Sequence, residues 1–255
     1  MTALLTARSL NVEVAGTRVC FALDFTVASG QCWAILGRNG AGKTTLLSTL
    51  AGLRKATSGT IELDGRAMTS FSPRELARFR ALLPQDDNDA FPATALETVL
   101  IGRHPHLSLW QWESAEDERL AREALRAVDL EEFATRRTDT LSGGEQRRVA
   151  IAALLAQQPG IFLLDEPTNH LDPHHQLAIL SLFRALADSG RTVITTLHDP
   201  TLAARFADRV LLLHGDGRWV LGPVGTTLTA ASLSELYVVP MIELGRDGRR
   251  VFVSA

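Results

Sequence analysis

The segment GRNGAGKT at residues 37–44 constrains the fold of this chain more than any other stretch. It fits the pattern G-x-x-x-x-G-K-[ST], follows the apolar run QCWAIL (31–36) and opens the helical pattern GKTTLLSTLAGL (42–53). Its glycines leave main-chain N–H groups open to an anion, and the helix start adds the positive end of its dipole. A strand, a glycine loop and a helix in this order predict a nucleotide-binding α/β fold.

Four short apolar runs predict the strands of a parallel sheet. They are hydrophobic throughout rather than at alternate positions, which fits strands buried on both faces. Helical patterns follow two of them, and this alternation of strand and helix predicts a βαβ core. The four runs are QCWAIL (31–36), GIFLLD (160–165), TVITTL (192–197) and RVLLLH (209–214).

The rest of the sequence predicts three parts around this core. The segments LNVEV, VCFALDFTV and GTIELDG near the N-terminus favour antiparallel strands, and the C-terminal stretch favours a hairpin turning at Asp247-Gly248. The middle of the chain lacks convincing strands and carries amphipathic helical patterns. We therefore expect a single domain (1–255) of the α/β class, with a mixed sheet core and an N-terminal antiparallel part. The expected division is 1–85 and 159–255 for the α/β core and 86–158 for an inserted helical subdomain.

Charge and hydropathy argue against several classes of function. The formal net charge is −3 and the pI is near 6.2, so no overall attraction to nucleic acid is expected. No window reaches the roughly 18 uninterrupted apolar residues of a membrane span, and the N-terminus does not resemble a signal peptide. If the protein works at a membrane, it must dock on a partner that crosses it. Cys20 and Cys32 are expected to be reduced core residues.

Charged and hydroxyl side chains in GRNGAGKT and IFLLDE suit the chemistry of a nucleoside triphosphate. Lys43 is expected to place its charge on the β- and γ-phosphates, and Thr44 to ligate Mg²⁺ through its hydroxyl. The run IFLLDE delivers Asp165 to the end of its strand, where it can hold Mg²⁺ through water. Glu166 follows and is placed to polarise an attacking water. The expected ATP-binding residues are Gly37, Arg38, Asn39, Gly40, Ala41, Gly42, Lys43, Thr44 and Thr45.

A second glycine pair lies in LSGGE (141–145), about a hundred residues after the first loop, and also opens a helical pattern. This segment has neither a lysine nor a metal ligand, so it cannot bind a nucleotide well alone. Ser142, Gly143 and Gly144, with the helix dipole behind them, suit a γ-phosphate that is already held on its other side.

With these motifs in order, the chain resembles the ATP-binding subunit of an ABC transporter. The matching segments are GRNGAGKT as Walker A, LLPQD as the Q-loop, LSGGEQRR as the signature, IFLLDE as Walker B, NHLD as the D-loop and TTLHD as the switch histidine loop. The resemblance covers nearly the whole chain. It implies a P-loop NTPase fold of ABC type and an ATPase with ATP and Mg²⁺ as cofactors.

The resemblance also implies how the site is completed. Two copies would pair head to tail, with each ATP between the Walker A segment of one copy and the signature of the other. Gln85 would contact Mg²⁺ or water, His198 would contact the γ-phosphate and orient Glu166, and Asp172 of the D-loop would reach across the dimer. The implied catalytic residues are Glu166, His198 and Gln85, the Mg²⁺ ligands are Thr44, Gln85 and Asp165, and the signature residues contacting the partner's ATP are Leu141, Ser142, Gly143, Gly144 and Glu145.

Three further segments are similar to subunits that import iron–siderophore, haem or cobalamin: IGRHPHLSLW (101–110), DEPTNHLDPHHQ and LSELYVVPM. This implies a polytopic permease dimer as partner, a periplasmic substrate-binding protein as an indirect partner, and a peripheral position at the cytoplasmic face of the inner membrane. Haem or another iron chelate is the favoured cargo, and no nucleic acid partner is expected. The alternatives are the ATPase subunit of an exporter and a soluble ABC protein acting on ribosomes or DNA.

Two further hypotheses concern local segments of the chain. The first is that the segment from Gln85 to about Trp110 forms a groove for a cytoplasmic helix of the permease, because Phe91, Leu107, Leu109, Trp110 and Trp112 are more apolar than a solvated loop needs. The second concerns Val14, which stands where the family usually has an aromatic residue that stacks on adenine, with Arg18 as a partial substitute.

Overall fold

The protein is described by a computed structural model that covers residues 3–85, 93–108, 110–246 and 249–255. The strands are β1 (Ala3–Val14), β2 (Thr17–Ala28), β3 (Cys32–Gly37), β4 (Ser58–Leu63), β5 (Arg66–Ala67), β6 (Arg80–Leu83), β7 (Ile161–Leu164), β8 (Thr192–Thr196), β9 (Arg209–Leu213), β10 (Trp219–Pro223), β11 (Met241–Arg246) and β12 (Arg249–Ser254). The α-helices are α1 (Lys43–Leu50), α2 (Pro73–Phe79), α3 (Ala95–Ile101), α4 (Ala115–Arg126), α5 (Gly143–Ala156), α6 (Pro173–Asp188), α7 (Pro200–Phe206), α8 (Val224–Thr227) and α9 (Ala230–Tyr237).

The central sheet has six strands in the order β10-β9-β3-β8-β7-β6. Neighbouring strands are parallel except for β10, which runs antiparallel to β9. The four strands predicted from apolar runs are confirmed as β3, β7, β8 and β9, and nearly all of their residues are buried. The sequence does not predict β6, because its four residues, RALL, include an arginine and form too short an apolar run. The parallel order brings the ends of β3, β6, β7 and β8 to one edge of the sheet.

A second sheet, in the order β2-β1-β4-β5, is antiparallel and confirms the predicted N-terminal part. Ala15 and Gly16 connect β1 to β2 with φ of 48° and 80°, the backbone of a tight two-residue hairpin turn. β1 begins at Ala3, well before the predicted LNVEV run. Its first half escapes a pattern search because pairing with β2 shifts register between Ala7 and Leu10, which breaks the alternation.

Helices dominate the described part of the segment between β6 and β7. The two predicted helices are confirmed as α4 and α5, and a shorter helix, α3, precedes them in the chain. Val99, Leu125 and Ile151, one from each helix, are fully buried in a cluster that continues into β7 through Leu164. The helical part therefore shares a core with the sheet.

A buried ion pair holds these three helices together. Arg103 follows α3, and its Nε lies 2.9 Å from Oδ1 of Asp117 in the first turn of α4. Its Nη1 donates to the main-chain oxygen of Ala156 at the end of α5 at 2.8 Å. Hydrogen bonds from Ser114 and then from Arg103 lower the pKa of Asp117 to about 2. Arg103, part of the GRHPH segment, therefore fixes the geometry of the helical part.

The C-terminal strands β11 and β12 form the predicted antiparallel hairpin. Its predicted turn at Asp247-Gly248 lies outside the described residues. The hairpin packs on α7, where Phe252 is buried and its N–H donates to Oγ1 of Thr201 at 3.1 Å. Among the described residues, no helix is both long enough and apolar enough to cross a membrane.

Candidate functional site

The loop between β3 and α1 is built so closely that two of its glycines cannot carry a side chain. A Cβ on Gly42, which has a φ of +92°, would lie 2.5 Å from Cγ2 of Val19. A Cβ on Gly37 would lie 2.7 Å from the main-chain oxygen of Leu213. Gly42 is also the N-cap of α1, and no side chain caps that helix. The start of α1 is thus shaped to accept an anion from outside the chain.

A cavity of about 500 Å³ opens above this loop. It brings together most of the predicted catalytic and ATP-binding residues, including Gln85, Glu166 and His198 from three different segments. Ala41 is instead buried in the core, and Gly37 and Arg38 contribute main-chain oxygens beside the cavity. The cavity is lined by Val14, Thr17, Val19, Asn39, Gly40, Gly42, Lys43, Thr44, Thr45, Gln85, Glu166 and His198.

Lys43 is a buried cation directed into this site. Its Nζ donates to the main-chain oxygens of Gly37 at 3.1 Å and Arg38 at 3.4 Å. Burial lowers the pKa of Lys43, and the negative charges of Glu166 and Asp165 offset part of that decrease. A buried ammonium with only neutral oxygens as hydrogen-bond acceptors interacts strongly with an incoming phosphate, because little water remains to be displaced.

The carboxylate of Asp165 is fixed by Thr196, which lies in the TTLHD segment but has no role among the predicted site residues. Oγ1 of Thr196, at the end of β8, donates to Oδ1 of Asp165 at 2.6 Å and accepts from the N–H of Glu166 at 2.8 Å. Asp165 is nearly inaccessible and lies behind the cavity wall. Together with the Thr44 hydroxyl and the Gln85 amide, both on residues that line the cavity, it would offer the all-oxygen donor set that suits Mg²⁺ on nucleotide phosphates.

Glu166 is held at both ends of its carboxylate. Its Oε1 lies 2.5 Å from Nε2 of His198, and its Oε2 accepts from Nδ2 of Asn169 at 2.6 Å. The backbone of Glu166 has a φ of +48°, a left-handed conformation that is uncommon for a residue with a Cβ. Glu166 and His198 are therefore a paired carboxylate and imidazole at the cavity wall, an arrangement suited to taking a proton from water.

The signature residues lie outside this cavity. Ser142 caps α5, accepting from the N–H of Glu145 at 3.3 Å, while its own N–H and hydroxyl both donate to Oε2 of Glu145 at 2.7 Å. These hydrogen bonds lower the pKa of Glu145. Leu141 is buried, whereas Ser142 and Gly143 are exposed. Within one copy, then, the two glycine segments do not form one site.

The D-loop residue Asp172 also caps a helix. Its Oδ1 accepts from the N–H of His175 at 3.0 Å, and its Oδ2 lies 2.7 Å from Nδ1 of the same residue. The start of α5 packs closely against the segment around His170 of the same chain, because a Cβ on Gly144 would lie 3.0 Å from the main-chain oxygen of His170. The signature and the D-loop are therefore in direct contact.

On the side expected for adenine, the cavity wall is aliphatic. Val14, Thr17 and Val19 line it, and no aromatic side chain does so among the described residues. Arg18 does not line the cavity; its guanidinium carbon lies 5.8 Å from the ring centroid of Phe21. In this conformation, therefore, neither an aromatic residue at position 14 nor Arg18 is placed to stack on a nucleotide base.

Comparison with known proteins agrees with this geometry. The family model described as ABC transporter matches residues 20–169. The hemin import ATP-binding protein of Nocardia farcinica is 43% identical over 242 residues, covering 93% of this chain and 83% of that protein. The corresponding protein of Bradyrhizobium diazoefficiens is 38% identical over 256 residues, covering 97% of this chain and 93% of that protein.

Two solved structures extend the comparison. One, described as an inward-facing metal-chelate type ABC transporter, has a TM-score of 0.87 and 29% identity and covers 99% of this chain and 98% of its own. The other is a dimeric, post-hydrolysis ATP-binding cassette bound to ADP and phosphate. It has a TM-score of 0.75 and 28% identity and covers 87% of this chain and 99% of its own.

Proposed function

Because the chain belongs to the ABC transporter family and is an ATP-binding ATPase of that family, we propose that it energises the import of an iron chelate, with haem as the favoured cargo. The observation that carries this proposal is the match, over nine-tenths of the chain, to proteins named for hemin import. The similarity to a metal-chelate type transporter supports the same class of cargo. No comparable observation favours export or a role away from membranes.

We assign the chemistry to the residues around the cavity. Lys43 and the main chain of the glycine loop bind the β- and γ-phosphates, and Glu166 takes the proton of the attacking water. His198, at hydrogen-bond distance from Glu166, orients this base and faces the γ-phosphate. Mg²⁺, when held by Thr44, Gln85 and Asp165, supplies positive charge that offsets the charge developing on the phosphates.

We propose a head-to-tail homodimer as the active form. The support is that the signature residues are outside the cavity of their own copy, while Ser142 and Gly143 are exposed at the start of a helix of fourteen residues. Each ATP then lies between the glycine loop of one copy and the signature of the other, and Asp172 lies at the dimer contact. The chain acts as one domain, in which 86–158 forms the helical subdomain and 1–85 with 159–255 the α/β core.

A disulfide cross-link between copies tests the dimer. Asn39 and Gly143 are exposed, and replacing both by cysteine avoids the positive φ of Gly40 and keeps the Ser142–Glu145 cap. We expect a cross-linked dimer to form in the presence of Mg-ATP, and we expect little cross-linked dimer without nucleotide. The native thiols do not interfere, because burial raises the pKa of Cys20 to about 11 and that of Cys32 to about 12. Cross-linking that is equal with and without Mg-ATP, or absent in both, contradicts the head-to-tail arrangement.

We further propose that the permease docks in a second cavity, of about 520 Å³, between α5, the end of α3 and the end of β6. Pro84, at its edge, precedes Gln85, and Leu53 and Ile101 on its wall are 66% and 57% exposed. Of the apolar residues named in the groove hypothesis, those that the structure describes lie outside this cavity. Trp110 and Trp112 are almost fully exposed and do not line this cavity, Leu107 is half-buried outside it, and Phe91 and Leu109 lie outside the described residues.

Growth on haemin as sole iron source tests both the cargo and the groove. A deletion strain of the source organism is expected to fail on haemin and to grow normally on a ferrous salt. The wild-type gene restores growth, whereas Ile101→Glu does not, because a charge in the apolar cavity blocks docking. The isolated Ile101→Glu protein should keep its ATPase rate within about 2-fold, as expected for a surface change away from the site. Val220→Glu, an equally drastic change on an exposed strand, should complement fully.

The same strains separate the parts of the proposal. If the deletion strain still uses haemin but loses growth on a ferric siderophore or cobalamin-dependent growth, haem is not the cargo, although the role in import stands. Normal growth in all three conditions would overturn import itself. We place the protein at the cytoplasmic face of the membrane, where this permease would present its docking helix.

A further inference from the structure

Arg147 is a buried charged residue in the signature segment LSGGEQRR, beyond the five residues expected to contact ATP. It lies on α5, the helix that Ser142 caps, and it is 4% exposed. Its guanidinium does not line the nucleotide cavity. Instead it reaches from the helical part of the chain to the main chain of the sheet.

Four hydrogen bonds of Arg147 within the described residues go to carbonyl groups at the ends of two strands. Nη1 donates to the main-chain oxygens of Pro84 at 2.6 Å and Gln85 at 3.3 Å. Nη2 donates to those of Asp165 at 2.6 Å and Glu166 at 3.0 Å. These four residues directly follow β6 and β7, which are paired in parallel. The hydrogen bonds between the two strands end with the one from the N–H of Asp165 to the main-chain oxygen of Leu83, at 2.9 Å. A planar guanidinium, with donors in a fixed fork, suits this pair of strand ends better than any other side chain.

For Glu166 this contact completes a clamp on the backbone. Its N–H donates to Thr196, and its carbonyl accepts from Arg147 at 3.0 Å and from the N–H of Asn169 at 3.2 Å. Its φ of +48° is a conformation that persists only where neighbours impose it. Without Arg147 this carbonyl keeps the longer bond from Asn169 but loses its charged donor, so we expect the peptide to relax and the carboxylate to shift from its place beside His198. The same guanidinium holds the main chain of Gln85.

We propose that Arg147 is a positioning residue that ties the catalytic Glu166 and the Q-loop Gln85 to the signature helix. This inference rests on the proposed function, because in the head-to-tail dimer α5 begins at the ATP of one site while Glu166 acts on the ATP of the other. Arg147 is then a direct structural connection between the two sites. A shift of α5 on meeting the partner's nucleotide moves the main chain that carries the base.

The test compares Arg147→Met and Arg147→Lys with Arg148→Met as a matched control. Arg148 is the next residue on α5 and also donates to a main-chain oxygen, that of Val128 at 2.9 Å, but it touches neither strand end. We expect kcat for ATP hydrolysis to fall by about 100-fold in Arg147→Met, as misplacement of a catalytic group by about an ångström does. Arg147→Lys, which keeps a charge but not the fork, should lose about 10-fold, and Arg148→Met less than about 3-fold.

The readout that separates positioning from general stability is the split between kcat and KM. The KM for ATP should change by less than about 3-fold in both Arg147 variants, and the Mg-ATP-dependent cross-link between positions 39 and 143 should still form. Wild-type kcat in Arg147→Met, or a loss equal to that of Arg148→Met, overturns the inference. An Arg147→Lys variant that loses ATP binding to the same extent as kcat also overturns the inference. If Arg147→Met does not fold, the result for Arg147→Lys is the deciding one. A wild-type protein without ATPase activity would instead overturn the proposed function.

Discussion

Replacing Glu166 by glutamine is expected to reduce kcat for ATP hydrolysis by about 100- to 1,000-fold, the usual contribution of a positioned general base. Glutamine keeps the size of the side chain and can still pair with Asn169, but it cannot take a proton from water. ATP affinity should stay within about 3-fold, because Lys43 and the glycine loop are unchanged. Steady-state hydrolysis and equilibrium ATP binding measure the two effects separately.

The variant should also accumulate as a closed, ATP-loaded dimer, since the step that reopens the dimer is blocked. Size-exclusion chromatography in the presence of Mg-ATP detects this species. Glu132→Gln, which neutralises an exposed carboxylate, should behave like wild type in each assay. Turnover of Glu166→Gln near the wild-type rate would show that another group activates the water.

Lys43→Met is expected to have opposite effects on ligand binding and on stability. The substitution removes the cation that we propose to bond to two phosphates, and the expected loss of about 3 kcal/mol of charge-assisted hydrogen bonding would weaken ATP binding by about 100-fold. Equilibrium binding of ATP measures this loss. Lys55→Met, which changes the chain's other lysine at an exposed position, should bind ATP normally.

The stability effect follows from the direction of the pKa shift. Burial lowers the pKa of Lys43 in the folded protein, so the charged form destabilises the fold. This cost is fully present at pH values below the lowered pKa and disappears as the pH rises through the ordinary lysine pKa. At neutral pH, methionine removes the cost, and the unfolding temperature without ATP should be unchanged or higher. A lower unfolding temperature would mean that the contacts with Gly37 and Arg38 outweigh the burial of the charge.

The fold could be predicted from the sequence because its signals are local. A buried parallel strand is a continuous apolar run, and each motif sits where such a run ends, as at Gly37, Asp165 and His198. Parallel order then brings these ends together. β6 could not be predicted, because its apolar run is only the three residues ALL between Arg80 and Pro84, whereas β7, which is equally short, is apolar throughout.

The supporting contacts of the site could not be predicted, because they join residues far apart in sequence. Arg147 contacts carbonyl groups of residues 63 and 18 positions away, and Thr196 contacts a carboxylate 31 positions away. Carbonyl groups are the same at every residue, so no sequence pattern marks the ones that an arginine will meet. Asn169 stands inside a recognised motif, yet its bond to Glu166 depends on the shape of the turn between them.

The capping of α5 has a consequence for how firmly two copies can adhere. The carboxylate of Glu145 already bonds to Ser142 at the point where a phosphate from a neighbouring copy would arrive. The incoming anion must displace, or share donors with, an anion that the chain itself supplies. In the proposed dimer, the loss of these bonds subtracts from the free energy of association, which makes the two copies easier to separate in each cycle.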